Sequence, residues 1–113
     1  MRLLCHQITR AMEIFSFLFG NKSKMINDFK ARGAVIIDVR SKGEYAGGAI
    51  PGSKNIPLPQ LHTKAEEIKK MNKPVITCCA SGMRSSSAAA ILKSKGIECM
   101  NGGGWFNLSQ KLN

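Results

Sequence analysis

Continuous apolar runs mark the expected strands of this 113-residue chain. Residues 34–39 (AVIIDV) and 75–78 (VITC) are rich in β-branched side chains and almost free of polar positions. Such runs are typical of strands buried on both faces, as in a parallel sheet. Shorter strands are predicted at 55–56 and 97–100. The strand pattern therefore favours a mostly parallel sheet.

Segments with helical spacing separate these runs. In residues 23–32 and 59–71, apolar side chains recur at steps of three and four among charged ones, which predicts amphipathic helices. Residues 85–95 are rich in alanine and are followed by Gly96 at the position of a helix cap. A last amphipathic turn is expected from Trp105. Strands that alternate with helices predict an α/β fold.

The chain shows no internal repeat and no low-complexity linker. We expect an apolar and basic N-terminal arm, residues 1–20, followed by one domain, residues 21–113, with Met12 as a second candidate start. The apolar run 14–19 is too short to span a bilayer and lacks a signal-peptide cleavage site, so no stable membrane insertion is expected. A cytoplasmic location is predicted, with export through the arm as the weaker alternative.

Charge is the strongest compositional signal, with a formal net charge of +10 and a pI near 9.9. Such a chain can bind nucleic acid, anionic membrane or a small anionic substrate. The basic residues are scattered, aromatic residues make up 6% of the chain and no recognition motif is present, which argues against nucleic acid. The charge therefore leaves an anionic membrane surface and a small anionic substrate as candidate partners.

The four cysteines are Cys5, Cys78, Cys79 and Cys99. Two of them are neighbours, and a disulfide between adjacent residues strains the intervening peptide, so a disulfide framework is not expected. No pair has Cys-x-x-Cys spacing, and the chain has two histidines to supplement the thiols. We therefore predict neither a zinc site nor another metal site.

The stretch PVITCCASGMRS, residues 74–85, joins a predicted strand to a predicted helix. Backbone N–H groups at a helix N-terminus can surround an anion and lower the pKa of a thiol. Counted from Cys78 to Arg84, the stretch has the Cys-(x)5-Arg spacing of a phosphatase loop. Counted from Cys79, it reads Cys-(x)4-Arg. The loop alone leaves three interpretations open: catalysis by either cysteine, or two buried core cysteines.

Three stretches in order resemble a single-domain rhodanese-like sulfurtransferase: VIIDVRSKGEYAGGAIPGSKNIPL (35–58), VITCCASGMRSSSAAAILKSKGI (75–97) and GGGW (102–105). The resemblance extends from about residue 23 to the C-terminus. It implies a rhodanese-like α/β fold, with a central, mostly parallel sheet of about five short strands and helices on both faces. Ala49 departs from the family, which commonly has histidine in this Gly-x-Ile-Pro-Gly motif.

The family's catalytic loop reads Cys-x-x-Gly-x-Arg, and only Cys79 fits it, with Gly82 and Arg84 in place. The resemblance implies that Cys79 is the catalytic residue, which carries sulfur as a persulfide and uses no cofactor. The substrate-binding loop residues would be Ala80, Ser81, Gly82, Met83, Arg84 and Ser85. Their amides would hold the transferred sulfur, and Arg84 would attract an anionic donor. Cys78 would pack inside the protein.

Asp38 and Arg40 match the family's Asp-Val-Arg motif, which implies that they support the loop. We expect Glu44 either to pair with Arg40 or to belong to a solvated charge cluster.

Two main functional hypotheses follow from the resemblance. The first is an enzyme that moves sulfur from thiosulfate or a persulfide donor to a thiol or cyanide. The second is a relay module that exchanges sulfur with protein donors or acceptors. A phosphatase using Cys78 and Arg84 is a weaker third reading, because Thr77 stands where such loops often have histidine and Glu98 is the one acid beyond the loop. We expect a monomer.

Overall fold

A computed structural model describes residues 22–113. The predicted arm, residues 1–20, lies outside the described residues. The helices are α1 (Lys22–Ala31), α2 (Lys42–Ala46), α3 (Leu61–Lys70), α4 (Met83–Ser94) and α5 (Trp105–Leu112), with a 3-10 turn at Leu58–Gln60. The strands are β1 (Val35–Asp38), β2 (Lys54–Asn55), β3 (Val75–Cys79) and β4 (Cys99–Gly104). Helices and strands alternate, as the sequence pattern predicts.

The four strands form one parallel sheet in the order β2-β1-β3-β4. The α/β fold and its parallel sheet are confirmed, although the described residues contain four strands where about five were expected. Every residue of β3 is buried, because β1 and β4 pair with its two edges and helices cover its two faces. The loop that follows β3 therefore starts from the centre of the sheet.

Apolar side chains form two clusters, one on each face of the sheet. The first brings the sheet together with α3 and α4: Ile37, Val39, Leu61, Ile68, Val75, Cys79, Ala88, Ala89, Leu92, Ile97 and Cys99. The second brings it together with α1 and α5: Ile26, Phe29, Ile50, Ile76, Cys78, Met100 and Leu108. Helices thus cover both faces, as expected, and the two adjacent cysteines belong to different clusters.

Two elements differ from the sequence expectation. Helix α2 was not predicted, although Ser41 and Glu44 form a capping box that starts it. Strand β4 begins two residues later than expected and continues through the glycines to Gly104. A Cβ atom at Gly102 would lie 2.7 Å from Ile76 Cγ2 and 2.8 Å from the Thr77 carbonyl oxygen. Close packing, rather than turn formation, therefore requires glycine at this position.

Within residues 22–113, no helix is both long and apolar enough to cross a membrane.

Candidate active site

Alternation along β3 separates the two cysteines. Successive strand residues point to opposite faces of a sheet. Cys78, with no exposed surface, packs in the cluster beneath α1 and α5, whereas Cys79, 1% exposed, faces α4. The loop that follows also leads into α4. Its backbone N–H groups therefore meet the sulfur of Cys79 and not that of Cys78.

Two amides of the loop contact the Cys79 sulfur. The N–H groups of Gly82 and Ser85 donate to Sγ at N···S distances of 3.0 and 3.4 Å. Gly82 has φ of +102°, a conformation that glycine adopts without strain, and a Cβ atom there would lie 3.3 Å from Gly103 Cα. Glycine thus allows the chain to turn tightly enough for both amides to reach one atom.

The two thiols have opposite pKa shifts. Burial, followed by the negative charge of Asp38, raises the pKa of Cys78 to about 12. Burial is also the largest influence on Cys79 and raises its pKa, but hydrogen bonds from Ser85, Gly82 and Ser81 together outweigh it. The pKa of Cys79 is therefore held below its usual value. Because the thiolate is the nucleophilic form, Cys79 is the more reactive thiol at neutral pH.

Asn101 anchors the loop, a role that the sequence reading missed. Its Oδ1 accepts hydrogen bonds from Ser85 Oγ at 2.6 Å and from the Gly103 N–H at 2.9 Å. Its Nδ2 donates to the Gly82 carbonyl oxygen at 3.1 Å. One side chain therefore links β4 to both loop residues whose amides contact Cys79.

The Ser85 hydroxyl lies between Asn101 and Cys79. Its oxygen is 3.4 Å from Cys79 Sγ, but its single proton is directed to Asn101 Oδ1. The neutral thiol of Cys79 can therefore donate its proton to Ser85 Oγ. When Cys79 is ionised, the Ser85 hydroxyl can instead donate to Sγ, and together with the amides of Gly82 and Ser85 it stabilises the thiolate.

Asp38 and Arg40 form a buried ion pair at the end of β1, with Arg40 Nη2 2.7 Å from Asp38 Oδ2. Arg40 also donates to the Gly48 carbonyl oxygen at 2.7 Å, and its guanidinium lies 4.8 Å from the centroid of the Trp105 ring. These contacts join the segment after β1 to the start of α5. The role of Asp38 and Arg40 as supports of the loop from Cys79 to Ser85 stays a prediction.

The expected pairing of Glu44 with Arg40 is wrong. The Glu44 carboxylate binds Arg84 through two hydrogen bonds of 2.8 and 3.0 Å, and Arg40 reaches only the Glu44 carbonyl oxygen, at 3.4 Å. Arg40 is instead buried against Asp38. Hydrogen bonds from Arg84 and from Ser41 lower the pKa of Glu44 to about 2. Both partners of this ion pair are therefore charged throughout the neutral pH range.

The remaining loop side chains point away from the sulfur. Ala80 and Ser81 are exposed, and 79% of Met83 is open to solvent. The structure thus brings the amides of Gly82 and Ser85 to the sulfur atom of Cys79. It leaves the side chain of Arg84 bound to Glu44.

The Rhodanese-like domain family model matches residues 22–111. The chain therefore belongs to the rhodanese-like family, as its motifs indicate. YqhL, an uncharacterized protein of Bacillus subtilis strain 168, is 44% identical over 71 residues, covering 61% of this chain and 56% of YqhL. The thiosulfate sulfurtransferase GlpE of Ectopseudomonas mendocina is 34% identical over 73 residues, covering 62% of this chain and 63% of GlpE. The matches span less than two thirds of either relative.

Solved structures share the fold. The structure described as rhodanese with anions from E. coli is 30% identical to this chain, with a TM-score of 0.61. The superposition covers 66% of this chain and 91% of that one.

Proposed function

We propose that the protein is a sulfurtransferase that carries sulfur as a persulfide on Cys79. The observation that carries this proposal is the hydrogen bonding of Cys79 Sγ by the Gly82 and Ser85 amides. These donors favour the thiolate in a site that Gly82 and Asn101 hold in shape. Membership of the rhodanese-like family and the likeness to GlpE support the same reaction class.

In the first step, the Cys79 thiolate attacks the outer sulfur of the donor. A bond forms between Sγ and that sulfur, the donor's own sulfur–sulfur bond breaks, and sulfite or a thiolate leaves with the electron pair. Loop amides stabilise the negative terminal sulfur of the resulting persulfide by fixed dipoles. No general base is needed, because the lowered pKa of Cys79 favours the ionised nucleophile.

In the second step, an acceptor thiolate or cyanide attacks the terminal sulfur. The bond between that sulfur and Sγ breaks, and its electron pair returns to Cys79 as the thiolate. The enzyme is restored, so ping-pong kinetics are expected.

A phosphatase that uses Cys78 does not fit this arrangement. Its thiol lies on the opposite face of β3 from the loop amides, and its pKa is raised to about 12. Arg84, which would bind the phosphate, is held by Glu44.

A sulfur relay between proteins is the second candidate. Two large apolar side chains, Met83 and Phe106, are 79% and 59% exposed. Met83 follows Gly82 in the loop, and Phe106 is two residues beyond Gly104, which packs against the Ala80 carbonyl oxygen. Two exposed apolar side chains, one in the loop and one near the start of α5, suit contact with another protein.

Transfer of sulfur from thiosulfate to cyanide by two matched variants tests the proposal. Cys79→Ser should abolish transfer, because serine is a far poorer nucleophile at neutral pH. Cys78→Ala, which removes the neighbouring thiol without burying an unpaired hydroxyl, should retain most of the activity. Equal losses in the two variants would refute the assignment to Cys79.

A further inference from the structure

The positive side chain of the loop, Arg84, is paired with the carboxylate of Glu44. Arg84 Nη1 lies 2.8 Å from Glu44 Oε1, and Arg84 Nη2 lies 3.0 Å from Glu44 Oε2. This is the two-pronged geometry in which a guanidinium binds a carboxylate most specifically. The forward edge of the guanidinium is therefore occupied before any donor arrives.

Glu44 is held in place rather than free to turn away. Its Oε1 also accepts hydrogen bonds from the backbone N–H of Ser41 at 3.1 Å and from Ser41 Oγ at 3.0 Å. These contacts belong to the capping box of α2. The fold thus presents a fixed carboxylate to Arg84.

Arg84 is the one charged residue in the loop from Cys79 to Ser85. It directly precedes Ser85, whose amide contacts Cys79 Sγ. The nearby Arg40 is buried against Asp38. Both arginines at this end of the sheet are therefore neutralised by a carboxylate. Because thiosulfate is a dianion, a free cation attracts it to the site more strongly than it attracts a persulfide with a single negative charge.

Resting on the sulfurtransferase function proposed above, we propose that Glu44 is a specificity-determining residue that withholds Arg84 from anionic donors. Cys79 is consequently loaded faster by a thiol persulfide than by thiosulfate. Glu44 acts through Arg84 and does not touch the reacting atoms, so it is a positioning residue.

The test is the second-order rate of persulfide formation on Cys79, followed by intact mass with two donors: thiosulfate, a dianion, and 2-hydroxyethyl persulfide, which carries a single negative charge. Glu44→Gln keeps an oxygen that can accept from Ser41 but removes the charge that holds Arg84. At about 5 Å in water, the freed guanidinium attracts a dianion twice as strongly as a monoanion, and the difference is worth roughly fourfold in rate. The ratio of the thiosulfate rate to the persulfide rate should therefore rise about fourfold.

A second ion pair supplies a matched control. Arg32 binds Glu98 through two hydrogen bonds of 2.8 Å. Glu98 lies at the opposite end of the sheet from the loop, where its carbonyl oxygen accepts from the N–H of Val75 at the start of β3. Glu98→Gln changes the net charge by the same amount as Glu44→Gln but should leave the donor ratio unaltered.

The double variant Glu44→Gln with Arg84→Gln should return the ratio to the wild-type value, since no guanidinium remains to be freed. An unchanged ratio in Glu44→Gln, or an equal rise in Glu98→Gln, overturns the role of Glu44 while leaving the proposed function intact. If neither donor adds sulfur to Cys79 of the wild-type protein, the sulfurtransferase function fails, and the role of Glu44 fails with it.

Discussion

Replacing Asn101 with aspartate should raise the pKa of Cys79. The new carboxylate can still accept hydrogen bonds from Ser85 and Gly103, so two of the three anchoring hydrogen bonds survive. It cannot donate to the Gly82 carbonyl oxygen as Asn101 Nδ2 does. It also places a negative charge close to the sulfur, which disfavours the thiolate.

The distances set the size of the effect. Ser85 Oγ lies 2.6 Å from Asn101 Oδ1 and 3.4 Å from Cys79 Sγ, so the new charge is no more than about 6 Å from the sulfur. At that separation, two unit charges repel by about 0.7 kcal/mol in water and about 2.8 kcal/mol at a dielectric constant of about 20. Since about 1.4 kcal/mol corresponds to one pKa unit, the pKa should rise by about 0.5 to 2.

The assay is the pH dependence of Cys79 alkylation by iodoacetamide, because the reaction rate follows the thiolate fraction. Cys78 should not interfere, since burial raises its pKa to about 12. Asn72→Asp is the matched control: it adds the same charge to an exposed residue beyond α3, at the other end of the sheet. Identical pH profiles for Asn101→Asp and the wild-type protein would refute the anchoring role of Asn101.

Three further predictions follow from the same contacts. Gly82→Ala forces a non-glycine residue to φ of +102°, so the free energy of unfolding in urea should fall by about 1–2 kcal/mol and persulfide formation should slow. An unchanged free energy of unfolding and an unchanged rate would contradict the loop geometry. The pKa of Glu44 is lowered from 4.5 to about 2, so its ion pair stabilises the fold above pH 4.5 and does so less as the pH falls towards 2. Between pH 4.5 and 2 the Glu44→Gln variant should therefore lose less stability than the wild-type protein, and an equal loss in both would argue against the ion pair. Because the protein has a net charge of +10, persulfide formation from thiosulfate should slow as the salt concentration rises. A rate independent of salt concentration would exclude electrostatic steering.

Local sequence patterns predicted the main elements of the fold. The runs that became β1 and β3 were recognisable because parallel strands are buried on both faces and need apolar side chains throughout. Helix α2 was readable in principle from Ser41 and Glu44, a capping-box pair at the correct spacing. The glycine-rich composition of that segment hid the signal.

Contacts between distant segments were harder to predict. Asn101 follows two apolar residues of a short strand, and nothing in its neighbourhood shows that it reaches Ser85 and Gly82. Glu44 was expected either to bind Arg40 or to belong to a solvated charge cluster, yet its partner Arg84 is 40 residues away. Pairings of this kind depend on how α2 and α4 meet at the end of the sheet, which local spacing does not encode.

The separation of the two cysteines rests on strand alternation, which is a sequence-level property. Once β3 is assigned through Cys79, Cys78 and Cys79 must point to opposite faces. Which face receives the loop amides depends on the path of the chain into α4. The family resemblance supplied the expectation that Cys79 is catalytic, which stays a prediction, and the hydrogen bonds to Cys79 Sγ give it physical support.

The mass of the protein after incubation with a sulfur donor tests the central claim most directly. Incubation of the wild-type protein and of Cys78→Ala with glutathione persulfide should add one sulfur atom, about 32 Da, that dithiothreitol removes. Cys79→Ser should gain nothing under the same conditions. A reducible gain of one sulfur in Cys79→Ser that disappears in Cys78→Ala would contradict the account and assign the chemistry to the neighbouring cysteine.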